Sequence, residues 1–141
     1  MKLSFELTTP ERLVLKDEFD AVTLPTQEGE ITVLPGHIPL VANLASGVIT
    51  VINAATEWYI AVSGGFVEVQ PGSAVIVLAD TAERAEELDY KSVQEARDRA
   101  AALLAGKRHA DQVATAAAAA LLAREMARLK VVEKYRRTRH P

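Results

Sequence analysis

The chain has 141 residues, 49% of them hydrophobic and 25% charged, which is typical of one folded globular domain rather than a disordered chain. It has no cysteine, which excludes disulfides, thiolate catalysis and cysteine-ligated metals and favours the cytoplasm. The net charge is −3, and residues 1–84 hold 11 Asp/Glu against 4 Lys/Arg, an excess that repels phosphate backbones. No apolar run reaches the roughly 18–20 residues that span a bilayer, and the alternating amino terminus predicts no secretory signal.

The first part of the chain has the pattern of many short strands. Leu3, Phe5 and Leu7 alternate with polar residues, as in a strand with one buried face. Further β-rich stretches are Ala21–Leu24, Ile31–Leu34, Val48–Ile52, Trp58–Val62, Phe66–Val69 and Val75–Leu78. Turn residues separate them at Thr9-Pro10, Gln27-Glu28-Gly29, Pro35-Gly36, Ser46-Gly47, Ser63-Gly64-Gly65 and Pro71-Gly72. This spacing predicts an antiparallel sandwich or barrel.

After Thr81 the pattern becomes helical. Asp89 can cap a first helix. The apolar stripe of this helix is predicted at Val93, Ala96, Ala100 and Leu103, and its end at Gly106. Residues 107–111 are predicted to form a turn. The second helix contains the alanine run 116–120 and is predicted to bury Ala119, Leu122, Met126 and Leu129.

A short turn between two helices predicts an antiparallel hairpin. Because small side chains bury little apolar area, at about 25 cal/mol per Å², we expect the two helices to adhere weakly and to open at low cost.

The carboxyl-terminal residues are basic. Residues 107–141 hold 9 Lys/Arg against 3 Asp/Glu, which raises the alternative of a nucleic-acid-binding module through residues 124–139. The acidic body and the scarcity of aromatic residues in the helices disfavour it. An acidic protein segment is the better partner for these helices, although a solvated helix face gives the same pattern.

The sequence contains no arrangement typical of catalysis. His37, His109 and His140 lie far apart and lack the spacing of metal ligands. Ser63-Gly64-Gly65 is flanked by strands, whereas a nucleophile elbow or phosphate loop leads into a helix, so it is interpreted as a hairpin turn. We therefore expect no enzyme, no metal and no catalytic residue.

Three segments carry a resemblance to a known family. Glu28–Leu40 is similar to the signature EGE-x-x-x-x-PGH-x-PL of the epsilon subunit of F-type ATP synthases. Ser63–Val69 resembles its SGG-x-x-EV segment, and Val77–Ala82 resembles VLADTA. The order of the three segments and the helical hairpin after them extend the resemblance over nearly the whole chain. An unrelated β-sandwich adaptor is the alternative.

The resemblance implies a non-catalytic central-stalk subunit that couples the catalytic head to the membrane c-ring during proton-driven ATP synthesis. Residues 1–84 would be a sandwich that contacts gamma and the c-ring, through Glu28, Gly29, Glu30 and, near the same end, His37. Residues 85–141 would be a regulatory hairpin, compact or extended, that inhibits ATP hydrolysis when extended. Its candidate contacts with the acidic DELSEED segment of beta are Arg124, Arg128, Lys130 and Lys134.

The resemblance also implies partners, a location and, in some members, a nucleotide. The partners would be gamma, the c-ring, alpha and beta, with no nucleic acid and with indirect attachment to the cytoplasmic face of the membrane. Members that bind ATP resemble [IL]-D-x-x-R-A where this chain has Leu88–Val93, with Ser92 in place of the arginine. We expect weak ATP binding or none, with Glu83, Asp89 and Arg99 as the remaining contacts.

Overall fold

The computed structural model describes residues 1–106 and 112–139. The predicted turn at 107–111, with His109, and His140 lie outside the described residues. The described part contains eight strands, a short 3₁₀ helix and two α-helices. They are β1 Leu3–Thr8, β2 Leu13–Phe19, β3 Ala21–Thr26, β4 Gly29–Val33, β5 Leu40–Asn43, β6 Gly47–Asn53, β7 Thr56–Gln70, β8 Ala74–Arg84, the 3₁₀ helix Ala85–Glu87, α1 Tyr90–Gly106 and α2 Gln112–Arg139.

The strands form a sandwich with the order β2-β1-β8-β7-β6-β3-β4, and β5 pairs with β7. The predicted fold class, a β-sandwich followed by helices, is confirmed. One pair departs from the antiparallel prediction, because β1 runs parallel to β8. The core lies between the layers, and the alternation in β1 buries Leu3, Phe5 and Leu7 as predicted.

The strands β2 and β5 were not predicted. β2 lies at the edge of the sheet and carries Lys16-Asp17-Glu18, charges that hide its strand pattern while protecting the edge from pairing with other chains. β5 has only four residues, too few for an alternation to be visible.

The segment Ser63-Gly64-Gly65 is not a hairpin turn, so that prediction is wrong. It lies inside β7, which pairs with β6 before the glycines and with β5 after them. Gly64 and Gly65 have φ values of +67° and +118°. A side chain on Gly65 would collide with the carbonyl oxygen of Leu78 in β8. The glycines therefore bend one long strand and redirect it from one partner strand to another.

The two helices pack as an antiparallel pair, because Val93 near the start of α1 contacts Leu129 and Val132 near the end of α2. Val93 and Ala100 are buried as predicted, but Leu103 is exposed. No described helix has the length and apolar character needed to cross a membrane.

The stripe predicted for α2 is wrong at two positions, because Ala119 and Met126 are exposed. The helix has two buried faces rather than one. Leu129 and Val132 face α1, whereas Val131 faces the sandwich. A prediction of a single apolar stripe fails for a helix that packs on two neighbours at once.

Candidate functional site

The turn between β3 and β4 is an exposed loop held from inside. Thr26 is buried, and its hydroxyl donates to the carbonyl oxygen of Gly29 at 2.5 Å and accepts the amide N–H of Glu28 at 3.3 Å. Gly29 has φ +121°, a backbone conformation that a side chain disfavours. Glu28, Gly29 and Glu30 are all exposed. The sandwich therefore presents two carboxylates on a fixed turn.

His37 lies in a different turn, after β4. Its amide N–H donates to the carbonyl oxygen of Leu34 at 3.0 Å, and Gly36 N–H donates to the Ser73 hydroxyl at 2.9 Å. The His37 ring Nδ1 lies 2.6 Å from the carbonyl oxygen of Ile38, to which it can only donate. β4 separates this turn from Glu28–Glu30 along the chain, and a position of His37 near the same end of the sandwich stays a prediction.

Three exposed apolar side chains, Val41, Phe66 and Leu78, form a row across β5, β7 and β8 that we call the apolar row. Each is more than half exposed, and Phe66 and Leu78 are direct cross-strand partners. A depression of about 290 Å³ lies between Val41, Phe66 and the turn at Glu28. A second, of about 300 Å³, lies beside Phe66, Leu78 and Pro10. Exposed apolar side chains beside such depressions are typical of protein-contact surfaces.

The sandwich also has a covered surface, where α2 docks. Val131 is fully buried among Val48, Tyr59, Ala61 and Ala85, a group that we call the docking cluster. At its rim, the Lys134 ammonium lies 5.5 Å from the centre of the Tyr59 ring, which accepts it as a cation–π partner. The docking cluster is small, so the polar contacts around it matter for how firmly α2 is held.

Next to the docking cluster lies a network of charged side chains. Arg128 Nε lies 2.9 Å from Glu83 Oε1, and Arg128 Nη2 donates to Glu83 Oε2 at 3.3 Å. Arg128 Nη1 donates to Glu125 Oε2 at 2.6 Å. Arg124 Nη2 lies 3.7 Å from Glu83 Oε1. Two arginines of α2 therefore converge on one carboxylate of β8.

The four predicted beta contacts thus have different surroundings. Arg124 and Arg128 face the sandwich, Lys134 lies at Tyr59, and Lys130 is exposed. Sequence reasoning did not identify Glu125, which is only 5% exposed. Its signal was a carboxylate three residues before Arg128, the spacing at which helical side chains meet.

Two of the three residues expected at an ATP site, Glu83 and Asp89, have other partners. The Asp89 carboxylate caps α1, because Oδ2 accepts the amide N–H of Ser92 at 3.0 Å and its hydroxyl at 2.7 Å. These bonds stabilise the charged form and lower the pKa of Asp89, the hydroxyl contributing most. Arg99 is exposed on α1. Among the described residues, no hydrogen bond or ion pair joins Glu83, Asp89 and Arg99 to each other.

The part of the chain that the structure describes contains no group of three or more His, Asp or Glu side chains placed to hold a metal ion. Ser63 hydrogen-bonds to Thr81 across β7 and β8. Within residues 1–106 and 112–139, this serine has no hydrogen bond to a histidine, and its arrangement is that of a cross-strand pair rather than a nucleophile.

The comparisons with known proteins agree with this architecture. Residues 2–85 match the family model described as ATP synthase, Delta/Epsilon chain, beta-sandwich domain. The chain is 44% identical to an ATP synthase epsilon chain of Dehalococcoides mccartyi over 99% of this chain and 97% of that one. It is 46% identical to an ATP synthase epsilon chain of Moorella thermoacetica, over 91% of this chain and 94% of that one.

Solved structures give the same result. A chain in the Euglena gracilis mitochondrial ATP synthase, in a structure of OSCP, F1 and c-ring in rotational state 1, superposes with a TM-score of 0.76 at 25% identity, over 95% of this chain and 81% of that one. A chain in the central stalk and c-ring of the Tetrahymena thermophila mitochondrial ATP synthase has a TM-score of 0.57 at 16% identity, over 96% of each chain, and supports the fold alone.

Proposed function

The chain belongs to the ATP synthase epsilon-chain family, and on that premise we propose how its two parts serve the central stalk. As a member, it is a non-catalytic stalk subunit with gamma, the c-ring and the alpha and beta subunits as partners. We propose that residues 1–84 act as the coupling part of the rotor in proton-driven ATP synthesis and that residues 85–141 regulate hydrolysis. The subunit would lie peripherally, on the cytoplasmic face of the membrane.

The rotor assignment has support from two surfaces of the sandwich. The fixed, acidic turn of Glu28, Gly29 and Glu30 is suited to polar loops of the c-ring. The apolar row continues from that turn, through the depression at Phe66, and is suited to gamma, a partner held permanently. His37, in the turn after β4, would belong to the same interface with the c-ring and gamma.

The regulatory assignment rests on one observation: α2 is docked through one small cluster and a set of ion pairs, so its release would leave the sandwich core intact. We propose that the released helix inhibits hydrolysis by contacting the acidic segment of beta through Arg124, Arg128, Lys130 and Lys134. The arrangement with α2 packed on the sandwich would be the compact form.

The experiment is ATPase activity of the epsilon-free catalytic head, measured with the full chain and with a version that ends at Ala85. We expect both to bind and only the full chain to inhibit. Binding of both without inhibition by either would leave the coupling role and contradict the regulatory one. Failure of the full chain to co-purify with alpha, beta and gamma would favour the unrelated adaptor.

The gamma surface has its own test. Phe66→Asp places a charge in the apolar row and should weaken binding to the gamma-containing head roughly thirtyfold, the effect of losing a side chain worth about 2 kcal/mol. The matched control is Leu121→Asp, which changes an apolar side chain exposed on α2. Equal weakening by both variants would contradict the assignment of gamma to the apolar row.

We also propose that ATP binds weakly or not at all, because Asp89 is bonded to Ser92 and Glu83 to Arg128. Calorimetric titration of the full chain with ATP tests this. A micromolar dissociation constant would contradict it.

A further inference from the structure

We propose that Glu83, Arg128 and Glu125 form a latch that holds α2 on the sandwich and withholds Arg128 from beta, an inference that rests on the proposed regulatory function. The latch joins two parts of the chain, because Glu83 belongs to β8 whereas Arg128 and Glu125 belong to α2. The latch needs no ligand. Side chains of this protein would therefore set the balance between the compact and the extended form.

Arg128 bridges two carboxylates, one on the sandwich and one on its own helix. Arg128 contacts Glu83 through two nitrogens: Nη2 donates a hydrogen bond to Oε2, whereas Nε lies 2.9 Å from Oε1 as an ion pair without hydrogen-bond geometry. Its Nη1 reaches Glu125, three residues earlier on the same helix. When α2 leaves the sandwich, the half within the helix can persist and only the half to Glu83 must break. The latch therefore acts on docking and not on the stability of the helix.

Burial makes the bridge effective. The side chains of Arg128 and Glu83 are 20% and 27% exposed, and that of Glu125 is 7% exposed. Pairs in such surroundings are screened less than surface pairs, and removing one member leaves a charge without a partner. Neutralising Glu83 would leave Arg128 and Arg124 facing the sandwich with one carboxylate fewer between them.

The latch excludes the proposed contact with beta. The Arg128 guanidinium cannot bind Glu83 and an acidic segment of another subunit at the same time. Lys130, exposed in the docked form, can meet that segment before α2 moves. Inhibition would thus require exchange of one carboxylate partner for another, and a weaker latch would give a stronger inhibitor.

A thiol reporter measures docking in the full-length chain alone. The chain has no cysteine, so Val131→Cys creates a single thiol at a fully buried position of the docking cluster. In this background, Glu83→Gln should accelerate alkylation about tenfold, corresponding to about 1.4 kcal/mol of docking free energy. Arg128→Lys keeps the charge but cannot bridge both carboxylates, and its rate should lie between. Glu95→Gln, an exposed change on α1, is the matched control and should leave the rate unchanged.

A second reporter, Val67→Cys, lies in the sandwich core and detects general unfolding. Its alkylation should not respond to Glu83→Gln. An unchanged rate at position 131, or an equal rise at 67 and 131, would overturn the latch.

Inhibition of the epsilon-free head by the cysteine-free chain separates the latch from the proposed function. Glu83→Gln should inhibit at a concentration several-fold lower than the unmodified chain. Faster alkylation at 131 without stronger inhibition would support the latch and contradict its link to inhibition.

Discussion

The sandwich and the hairpin differ in how they are held together. The main core cluster lies wholly within the sandwich and draws on strands from both layers. Among the described residues, the hairpin meets the sandwich at the docking cluster, where α2 contributes Val131 and the partly buried Tyr135, and at a rim of charged contacts. A part with its own core can transmit force as a unit, whereas a part held by a small cluster can leave without unfolding the rest. The division of labour that we propose follows this difference.

The largest expected effect is a loss of stability of the sandwich. Leu24→Ala removes a fully buried side chain and should lower the free energy of unfolding by about 4 kcal/mol, through lost burial and an unfilled cavity. Urea unfolding followed by the fluorescence of Trp58, the single tryptophan, reports on the sandwich directly. Leu103→Ala, the same change at an exposed position of α1, should have little effect. Comparable losses from both would contradict the claim that the cores are separate.

The next effect concerns the bend in β7. Gly65→Ala would force a side chain against the Leu78 carbonyl oxygen at φ +118°, and should cost about 3 kcal/mol of sandwich stability. Gly72→Ala is the matched control, because Gly72 also has a positive φ, +86°, but no atom within 4 Å of an added Cβ. It should cost only about 1 kcal/mol. Equal costs in urea unfolding would show that conformation alone, and not the close approach of β8, requires glycine at the bend.

The same bend shows what the sequence can and cannot reveal. Alternation of apolar residues predicted β1, and β-rich stretches between turn residues predicted most other strands, because both signals come from residues close together in the sequence. A glycine pair predicts a positive φ equally in a turn or in a bent strand. The choice at Gly64-Gly65 depends on β8, which pairs with both sides of the bend. That information is not local, and the turn prediction failed for this reason.

A smaller effect concerns docking. Val131→Ala shortens the fully buried side chain that α2 contributes to the docking cluster and should weaken docking by about 2 kcal/mol while the sandwich keeps its stability. Amide hydrogen exchange should accelerate in α2 and remain slow in β1 and β8. Val113→Ala, at a position 80% exposed, is the control and should change neither. Faster exchange throughout the sandwich would mean that the two parts unfold together.

The site was less predictable than the fold. The sequence identifies Arg124 and Arg128 as basic residues of a helix, and the family resemblance suggests a partner in another subunit. Their partner in this structure, Glu83, lies 45 residues from Arg128. Such a pairing depends on which face of α2 meets β7 and β8. Because α2 has two buried faces, its sequence contains no single apolar stripe from which the face that docks on the sandwich could be predicted.

The smallest effect lies within the hairpin alone. Asp89→Ala removes the cap of α1 and should accelerate amide exchange over residues 90–93, without a change in the sandwich. The control is Asp98→Ala, which removes the same charge from the middle of α1. Among the ion pairs of the described residues, Asp98 contacts only its neighbour Arg97, so the amides of residues 90–93 should be unaffected.

The cap should also depend on pH, with a sign that follows from its hydrogen bonds. The hydroxyl and the amide of Ser92 lower the pKa of Asp89 in the folded chain below that of about 3.9 in an unfolded one. The stabilisation is therefore complete above the unfolded value and is lost as pH falls through the folded value. Exchange over residues 90–93, corrected for its intrinsic pH dependence, should be constant between about pH 5 and 7 and should accelerate below about pH 4. In Asp89→Ala this acceleration should disappear. If the acceleration persisted in Asp89→Ala, another carboxylate would control the start of α1. The hairpin would then depend on the sandwich more than the separation of their hydrophobic clusters indicates.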